Sequence, residues 1–148
     1  MNIVEVNIRP LTENDFEDVA GIQEEIMKRK VKEGLGRRMR EYIEKDTEAC
    51  LVAEIEGKVV GFVIGDVKDW GFGVEKSGWL EIIGVHPKYM GQGIGKTLGN
   101  HLIDYFKSKG IKNVYTVARW DSGDLLAFFK SIGFYRSDFI NLEKRLED

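Results

Sequence analysis

Apolar and polar positions along the first quarter of the chain follow a strand period and then a helix period. Residues 4–10 alternate apolar and polar side chains, which predicts a first strand that ends at Pro10. Thr12 and Asp15 form an approximate capping box, the usual start of a helix. The helix that follows carries an amphipathic stripe at helical spacing, formed by Phe16, Val19, Ala20, Gln23, Ile26 and Met27.

The next segments predict a second helix and a hairpin. We expect the first helix to loosen through residues 28–36, where charge is dense, and a second helix to cover residues 37–45. Cys50–Ile55 and residues 58–66 are β-rich runs joined by Glu56-Gly57, a hairpin signal. The connection over residues 66–78 carries Trp70 and Phe72, which either cover a substrate pocket or tuck under the hairpin.

A β-branched segment over residues 78–85 predicts the central strand. Regular alternation places Trp79, Glu81, Ile83 and Val85 on one face and Leu80, Ile82 and Gly84 on the other. Glu81 is the only charged side chain of this strand. Such a carboxylate lies either at the wet end of the sheet or half-buried, and a half-buried carboxylate is a candidate general base.

The remaining elements follow a helix that carries Ile94, Leu98, Leu102 and Tyr105 on one face. A fifth strand is expected over residues 113–118, and Ser122 or Asp124 can cap a short helix over residues 125–132. From Phe134 onward the pattern predicts a further strand. A last antiparallel strand is suggested by Ile140, Leu142 and Leu146.

Three glycines at alternate positions, Gly91, Gly93 and Gly95, stand between the central strand and this helix. Glycine lets the backbone turn tightly and lie against a ligand, and the first N–H groups of a helix lack partners within the helix. The positive end of the helix dipole adds to this, so the loop suits a phosphate or pyrophosphate. Three such glycines after a buried strand favour an anion site over a simple tight turn.

The spacing of these glycines departs from two nucleotide-binding motifs. The dinucleotide fingerprint Gly-x-Gly-x-x-Gly fails in both frames, because its third glycine falls at Lys96 or at Leu98. Gly95-Lys96-Thr97 looks like the end of a nucleotide-triphosphate loop, but the glycine that this loop needs five residues earlier is Met90. A nucleotide-triphosphate-binding domain therefore stays only as a third hypothesis.

The run Val85-His86-Pro87-x-Tyr89-x-Gly91-x-Gly93-Ile94-Gly95-x-x-Leu98 resembles the acyl-CoA signature of the GNAT superfamily, the CoA-dependent N-acyltransferases. The order of elements on either side agrees with this family over essentially the whole chain. The resemblance implies an α/β (α+β) fold: a mixed, mostly antiparallel sheet of six to seven strands, splayed between strands four and five and flanked by about four helices. With the chain length, it indicates a single domain over residues 1–148.

The resemblance also implies acetyl-CoA as co-substrate and an amine that attacks the thioester directly in a ternary complex. The pantetheine arm would lie along Ile83, Gly84 and Val85, and an N–H near Val85 would polarise the thioester carbonyl. Gly84 fits a bulge, a close approach or plain crowding. The remaining implied contacts of CoA are Met90, Gly91, Gln92, Gly93, Ile94, Gly95, Lys96 and Thr97 in the loop, with Ser122 and Phe129 further along.

The attacking amine needs a base, because an alkylammonium with a pKa of about 10.4 must first lose a proton. Glu81 is the candidate, acting directly or through water. The alternative is that Glu81 forms a structural ion pair with a basic residue. Asp121 is a weaker candidate base, and no metal is expected.

Three positions depart from the family pattern. Met90 stands where Arg or Gln is usual, and Ser122 stands where Asn is common. Phe129 stands where a tyrosine usually protonates the departing thiolate, and phenylalanine has no proton to give. Tyr135 and Tyr115 are the hydroxyls left to consider. Phe129 motivates a second hypothesis, a catalytically degenerate acyl-CoA-binding module.

Composition narrows the partners and the compartment. The net charge of -3 and the pI near 5.5 argue against a nucleic-acid footprint. The basic run from Lys28 to Arg40 indicates a solvated helix face or, alternatively, a site for an acidic acceptor or the CoA phosphates. Cys50 is the only cysteine, and no signal peptide or membrane span is apparent, so we expect a cytoplasmic chain. The expected partners are acetyl-CoA and an unidentified amine, with a homodimer as a possibility suggested by the family.

Overall fold

A computed structural model of the protein describes residues 5–31, 33–69 and 75–147. The chain divides into two compact units, Met1–Val117 and Ala118–Asp148. The aromatic connection with Trp70 and Phe72 lies outside the described residues. No helix within the described ranges is both long enough and apolar enough to cross a membrane.

The first unit is built on one sheet in which the strands are ordered as they occur in the chain. Its strands are β1 (Asn7–Pro10), β2 (Cys50–Ile55), β3 (Lys58–Lys68), β4 (Ser77–Val85) and β5 (Val114–Tyr115). The first three pairings are antiparallel and β4 pairs with β5 in parallel, which confirms the predicted mixed sheet. Its helices are α1 (Phe16–Met27), α2 (Leu35–Lys45) and α3 (Ile94–Ser108); α4 (Gly123–Ser131) belongs to the second unit.

The turn into α1 has the predicted cap. The Asp15 carboxylate accepts a hydrogen bond from the Thr12 N–H at 2.9 Å, and the Asp15 N–H donates to the Thr12 carbonyl at 2.9 Å. At the other end, Lys28 takes a left-handed conformation with φ of 57° and ends the helix where the sequence predicted loosening. The hairpin turn at Glu56-Gly57 is confirmed, because both residues have positive φ, as a two-residue hairpin turn requires.

Helix α3 packs closely on one face of the sheet because glycines line that face. A Cβ added to Gly78 would lie 2.6 Å from a Phe106 ring atom, and one added to Gly65 would lie 2.6 Å from the Leu102 side chain. On α3, Leu98, Leu102 and Phe106 are buried, and Tyr105 is half-buried with its hydroxyl donating to Asp46 at 2.7 Å. The apolar face of the helix therefore includes Phe106 as well as the positions that the sequence placed on one face.

The opposite face of the sheet holds the main core beneath α1 and α2. It contains Leu11, Val19, Ile22, Leu35, Met39, Cys50, Val52, Val59, Phe62 and Ile64. Burial raises the pKa of the Cys50 thiol to about 12. Cys50 is therefore a core residue without the thiolate that a nucleophile requires.

The strand count was predicted too high. The described residues form five strands rather than six or seven, and residues 134–147 form none. Ile140, Leu142 and Leu146 are 70%, 83% and 87% exposed. An alternating pattern does not supply a partner strand, and without one these apolar side chains stay on the surface. The fifth strand is also shorter than predicted, because β5 covers only Val114–Tyr115.

Candidate functional site

A β-bulge in β4 determines where Glu81 lies. Leu80 pairs with Gly65 and Ile82 pairs with Ile64, so Glu81 is an extra residue on β4 with no partner of its own on β3. A bulge of this kind leaves one residue outside the ladder and shifts the alternation of side chains beyond it. The bulge lies at Glu81 rather than at Gly84, where the sequence suggested one.

The bulge makes the predicted alternation of β4 wrong beyond Leu80. Ile83 pairs with Val63, and Val85 pairs with Gly61, so both follow the α3 face together with Leu80. Ile82 packs against the core under α1 and α2. Gly84 faces the same side and is explained by crowding, since a Cβ there would lie 2.8 Å from the Phe62 ring and 3.0 Å from Ile26.

The Glu81 side chain lines a cavity of about 180 Å³ between α2 and the sheet. The cavity is also lined by Leu35, Arg38, Met39, Tyr42, Ile64 and Ile82. Desolvation raises the pKa of Tyr42 from its ordinary value, and the negative charge of Glu81 adds to this effect. The cavity thus combines one carboxylate, one phenol and one guanidinium with apolar walls.

Glu81 also forms the ion pair that the structural alternative predicted. Lys68 Nζ lies 2.8 Å from Glu81 Oε1 and 4.6 Å from the centroid of the Trp79 ring. Sequence reasoning missed Lys68, because the predicted third strand ended at Asp66, two residues before the end of β3. The observed strand extends to Lys68 and places this residue on the same face as Asp66, within reach of Glu81.

The two central strands separate soon after they meet. Within the described residues, the parallel ladder joins Gly78 to Val114 and Trp79 to Tyr115 and then ends. The Thr116 hydroxyl donates to the Leu80 carbonyl at 2.9 Å, the next contact along the strands. The part of β4 that carries Ile83, Gly84 and Val85 lies past this point, so the predicted splay between strands four and five is confirmed.

The glycine loop has the backbone of an anion cradle. Gly91 and Gly93 have φ of 81° and 83°, and a Cβ built on either of them would meet no described residue within 4 Å beyond its chain neighbours. Gly93 caps α3, and its carbonyl accepts the N–H of Thr97 at 3.0 Å. The N–H groups of residues 94–96 precede this first bond of the helix, so they have no partner within it.

The side chains of the loop leave that backbone accessible. Met90 is 53% exposed, and Gln92 and Lys96 are exposed as well. The Thr97 hydroxyl donates to the Gly93 carbonyl at 2.9 Å, so it supports the helix cap. Before the loop, His86 Nδ1 accepts the Lys88 N–H at 3.1 Å and holds the turn that leaves β4.

The other sequence-predicted site residues belong to the second unit. Ser122 precedes α4 and caps it through its carbonyl, which accepts the Leu126 N–H at 3.0 Å. Phe129 is 5% exposed, and its ring centroid lies 5.4 Å from that of Phe134. Asp121 is exposed, and its hydrogen bonds with Arg119 lower the pKa of its carboxyl group.

The structure describes the two tyrosines considered as proton donors and bears on the possibility of a metal site. Tyr135 is 88% exposed, and Tyr115 packs against the ring of Trp79 with centroids 5.4 Å apart. Across the described ranges, no group of three or more His, Cys, Asp or Glu side chains is placed to hold a metal ion. What the first unit brings together is a carboxylate cavity, a splayed strand pair and a glycine-capped helix.

A mixed sheet that splays before a glycine-rich helix start is the architecture of an acyl-CoA-dependent transferase fold. The chain belongs to the Acetyltransferase (GNAT) family, which it matches over residues 16–134. It is also 33% identical over 100 residues to an uncharacterized N-acetyltransferase of Methanocaldococcus jannaschii. That match covers 66% of this chain and 44% of the relative, so the chain spans less than half of the relative's length.

Solved structures share the fold at low sequence identity. An aminoglycoside N-acetyltransferase in complex with CoA has a TM-score of 0.82 at 17% identity, over 98% of this chain and 97% of its own. An aminoglycoside 6'-N-acetyltransferase from Acinetobacter baumannii has a TM-score of 0.80 at 18% identity, over 97% of this chain and 100% of its own. These likenesses establish the fold of the chain.

Proposed function

We propose that this chain transfers an acetyl group from acetyl-CoA to a primary amine of a small molecule, peptide or protein, by direct attack in a ternary complex. The observation that carries the proposal is the open, left-handed glycine turn that caps α3 next to the splayed end of β4. Family membership and the structural relative in complex with CoA support it. The proposal treats residues 1–148 as one N-acetyltransferase domain.

Several groups of the chain fit acetyl-CoA. The N–H groups of residues 94–96, with the exposed backbone of Gly91 and Gly93, suit the pyrophosphate. Lys96 on the first turn of α3 adds a positive charge. The backbone of residues 83–85 would hold the pantetheine arm. Acetyl-CoA, when bound, would supply the activated acyl thioester.

We assign Glu81 the role of general base, acting directly or through water. The ammonium first gives one proton to the Glu81 carboxylate. The neutral amine nitrogen then forms a bond to the acyl carbon, the carbon–sulfur bond breaks, and CoA leaves as a thiolate. The second proton, which the nitrogen loses as the amide forms, passes to water or to the thiolate, and the Glu81 proton returns to solvent. A thiol has an ordinary pKa near 8.5, so the thiolate can leave without a full acid, and a tyrosine is not required at Phe129.

A catalytically degenerate CoA-binding module is the second candidate. The buried Phe129 favours it, because this ring offers no hydroxyl to the leaving thiolate. The two candidates differ in one measurable respect: only the enzyme releases CoA when an amine is added.

Replacing Glu81 with Gln tests the base. We expect turnover to fall by about 10²-fold or more, the usual range for a general base, and the alkaline rise of the pH–rate profile to flatten. Turnover and its pH dependence are followed by CoA release, and acetyl-CoA binding is checked by a thermal melt. The acetyl-CoA shift should be retained, because the substitution leaves the glycine loop intact.

Asp66→Asn is the matched control for Glu81→Gln. Asp66 is a buried carboxylate on the same face of the sheet as the half-buried Glu81, and its Oδ1 lies 2.5 Å from Lys45 Nζ. Its loss should lower stability and leave the shape of the pH–rate profile unchanged. An unchanged profile in the Glu81 variant, or the same change in both variants, would reject Glu81 as the base.

A further inference from the structure

The cavity beside Glu81 is small for the acceptors named in the structural relatives. Its volume of about 180 Å³ lies below the roughly 300–1,000 Å³ of pockets for drug-sized ligands. The part of this space that the described residues enclose suits an amino-acid side chain or a short alkylamine.

The walls of the cavity favour an alkyl chain. Leu35 and Met39 are 9% and 1% exposed, and with Ile64 and Ile82 they give the cavity apolar walls. Methylene groups are favoured against such walls, and hydroxyl groups without hydrogen-bond partners are not. The polar groups in the lining are the Glu81 carboxylate, the Tyr42 hydroxyl and the Arg38 guanidinium.

The charges around the cavity favour an acceptor with one positive charge. Among the described residues of the lining, Glu81 supplies the carboxylate, and its Oε1 already lies 2.8 Å from Lys68 Nζ. Arg38 adds a cation to the lining, and its charge is felt at the Tyr42 hydroxyl. Asp66 and Lys45 also act on that hydroxyl with opposite signs, and they are paired with each other at 2.5 Å. A carboxylate has two oxygens and about four acceptor positions, so Glu81 keeps capacity for one more ammonium. A further positive charge on the acceptor would meet Arg38 and Lys68.

We propose that the acceptor is a primary amine on an unbranched alkyl chain with a single positive charge. Its ammonium binds Glu81, and its methylene groups lie against Leu35 and Met39. Arg38 and Lys68 select against acceptors with several cationic groups. This inference rests on the proposed acetyl transfer and deepens it. The same chemistry is offered by a free alkylamine and by a lysine side chain in a peptide.

The test compares kcat/KM for CoA release with matched acceptors. Pentylamine and cadaverine share a five-carbon chain and differ by one ammonium; the other acceptors are a lysine peptide with blocked termini and the aminoglycoside sisomicin. We expect pentylamine or the lysine peptide to exceed both cadaverine and sisomicin by about tenfold, a repulsion of about 1.4 kcal/mol. The better of the two monocations tells whether the source is a free amine or a peptide.

Arg38→Gln supplies the specificity readout, with Arg37→Gln as its matched control. Both arginines are exposed on α2, and only Arg38 lines the cavity. Loss of Arg38 should raise the ratio of kcat/KM for cadaverine to that for pentylamine by about fivefold. Loss of Arg37 should leave the ratio within about twofold of the parent, because Arg37 does not line the cavity and solvent screens its charge over the longer distance.

The outcomes separate this inference from the proposed function. A preference for sisomicin or cadaverine, or an equal change in both arginine variants, would overturn the inference and leave acetyl transfer intact. Absence of CoA release with every acceptor, in a protein that acetyl-CoA still stabilises, would overturn acetyl transfer itself.

Discussion

Asp15 shows how one residue serves both local and distant contacts. Its carboxylate accepts the Thr12 N–H at the start of α1 and two N–H groups of Arg9, each at 2.8 Å. The spacing of Thr12 and Asp15 predicted the cap. The contribution of Arg9 could not be predicted, because it depends on how β1 leads into the turn. Arg9 in turn contacts Glu54 on β2 at 3.1 Å, so Asp15 joins the helix start to the sheet.

Asp15→Asn tests this pair through the pH dependence of stability. The hydrogen bonds from Arg9 lower the pKa of the Asp15 carboxyl group below its unfolded value of about 3.9. The stabilisation is therefore complete above about pH 4 and is lost as the pH falls through the folded pKa. In urea unfolding at pH 7, we expect the variant to lose about 1–3 kcal/mol.

Urea unfolding repeated over a series of pH values tests the Asp15–Arg9 pair more specifically than the measurement at pH 7. The difference between Asp15→Asn and the parent should shrink as the pH falls below about 4. Glu13→Gln is the control, because the ion pair of Glu13 with Arg40 has side chains that are 64% and 49% exposed. Exposed pairs contribute about 1 kcal/mol or less. A difference that stays constant with pH for Asp15→Asn would contradict the account of this pair.

Among the elements, β4 contains the feature that most affects the site. The sequence predicted this strand to within one residue, since the observed range is Ser77–Val85. It did not predict the bulge, because a bulge depends on how β3 pairs opposite Glu81 and not on the composition of β4. One extra residue places Glu81 in the cavity lining while Ile82 still reaches the core.

Deletion of Glu81 tests the bulge as an element. Removing the extra residue leaves Leu80 opposite Gly65 and Ile82 opposite Ile64, so every other side chain of β4 keeps its face. We expect the deletion variant to fold cooperatively, with a loss of about 1–2 kcal/mol, and to lose CoA release. Circular dichroism and urea unfolding measure the folding.

Deletion of Val63 is the comparison on β3. Val63 lies in a regular part of the ladder opposite Ile83, so its loss turns the side chains on one side of it to the wrong face. This variant should fail to fold. Equal loss of structure in both deletion variants would show that Glu81 is not an insertion in an otherwise regular strand.

Glycine turns lie at both ends of α3, and only the N-terminal one is proposed to bind CoA. Comparing the same substitution in both turns separates an effect on ligand binding from the effect of backbone strain. Gly93 and Gly110 have φ of 83° and 76°, and a Cβ at either would meet, in the part of the chain that the structure describes, no residue within 4 Å except its chain neighbours. Alanine at either position should therefore cost about 1–2 kcal/mol of stability from left-handed strain. Only Gly93→Ala should also weaken acetyl-CoA binding, as measured by calorimetric titration. Equal affinity in both variants would argue against the loop as the CoA site.

For the whole molecule, the sequence predicted the order of helices and strands, the antiparallel pairings and the splay. The glycine motif could be predicted from the sequence because its function depends on local backbone freedom. The cavity could not be predicted, because Arg38 and Met39 on α2 are distant in sequence from Ile64 and Glu81, and only the folded structure brings them together. The prediction of C-terminal strands was wrong because it rested on a local pattern alone. Ile140 and Leu142 have the alternating spacing of a strand, but the described segment around them forms none.

The most direct test of the central claim is a thermal melt of the whole chain alone, with acetyl-CoA, with CoA and with Mg-ATP. A ligand at about 100 times its Kd stabilises a fold by about 2.7 kcal/mol. For a chain of this length that is a rise in Tm of about 5–10 °C. The account predicts this rise with acetyl-CoA and not with Mg-ATP. An unchanged Tm with both CoA forms would contradict acetyl-CoA binding and leave only the shared fold.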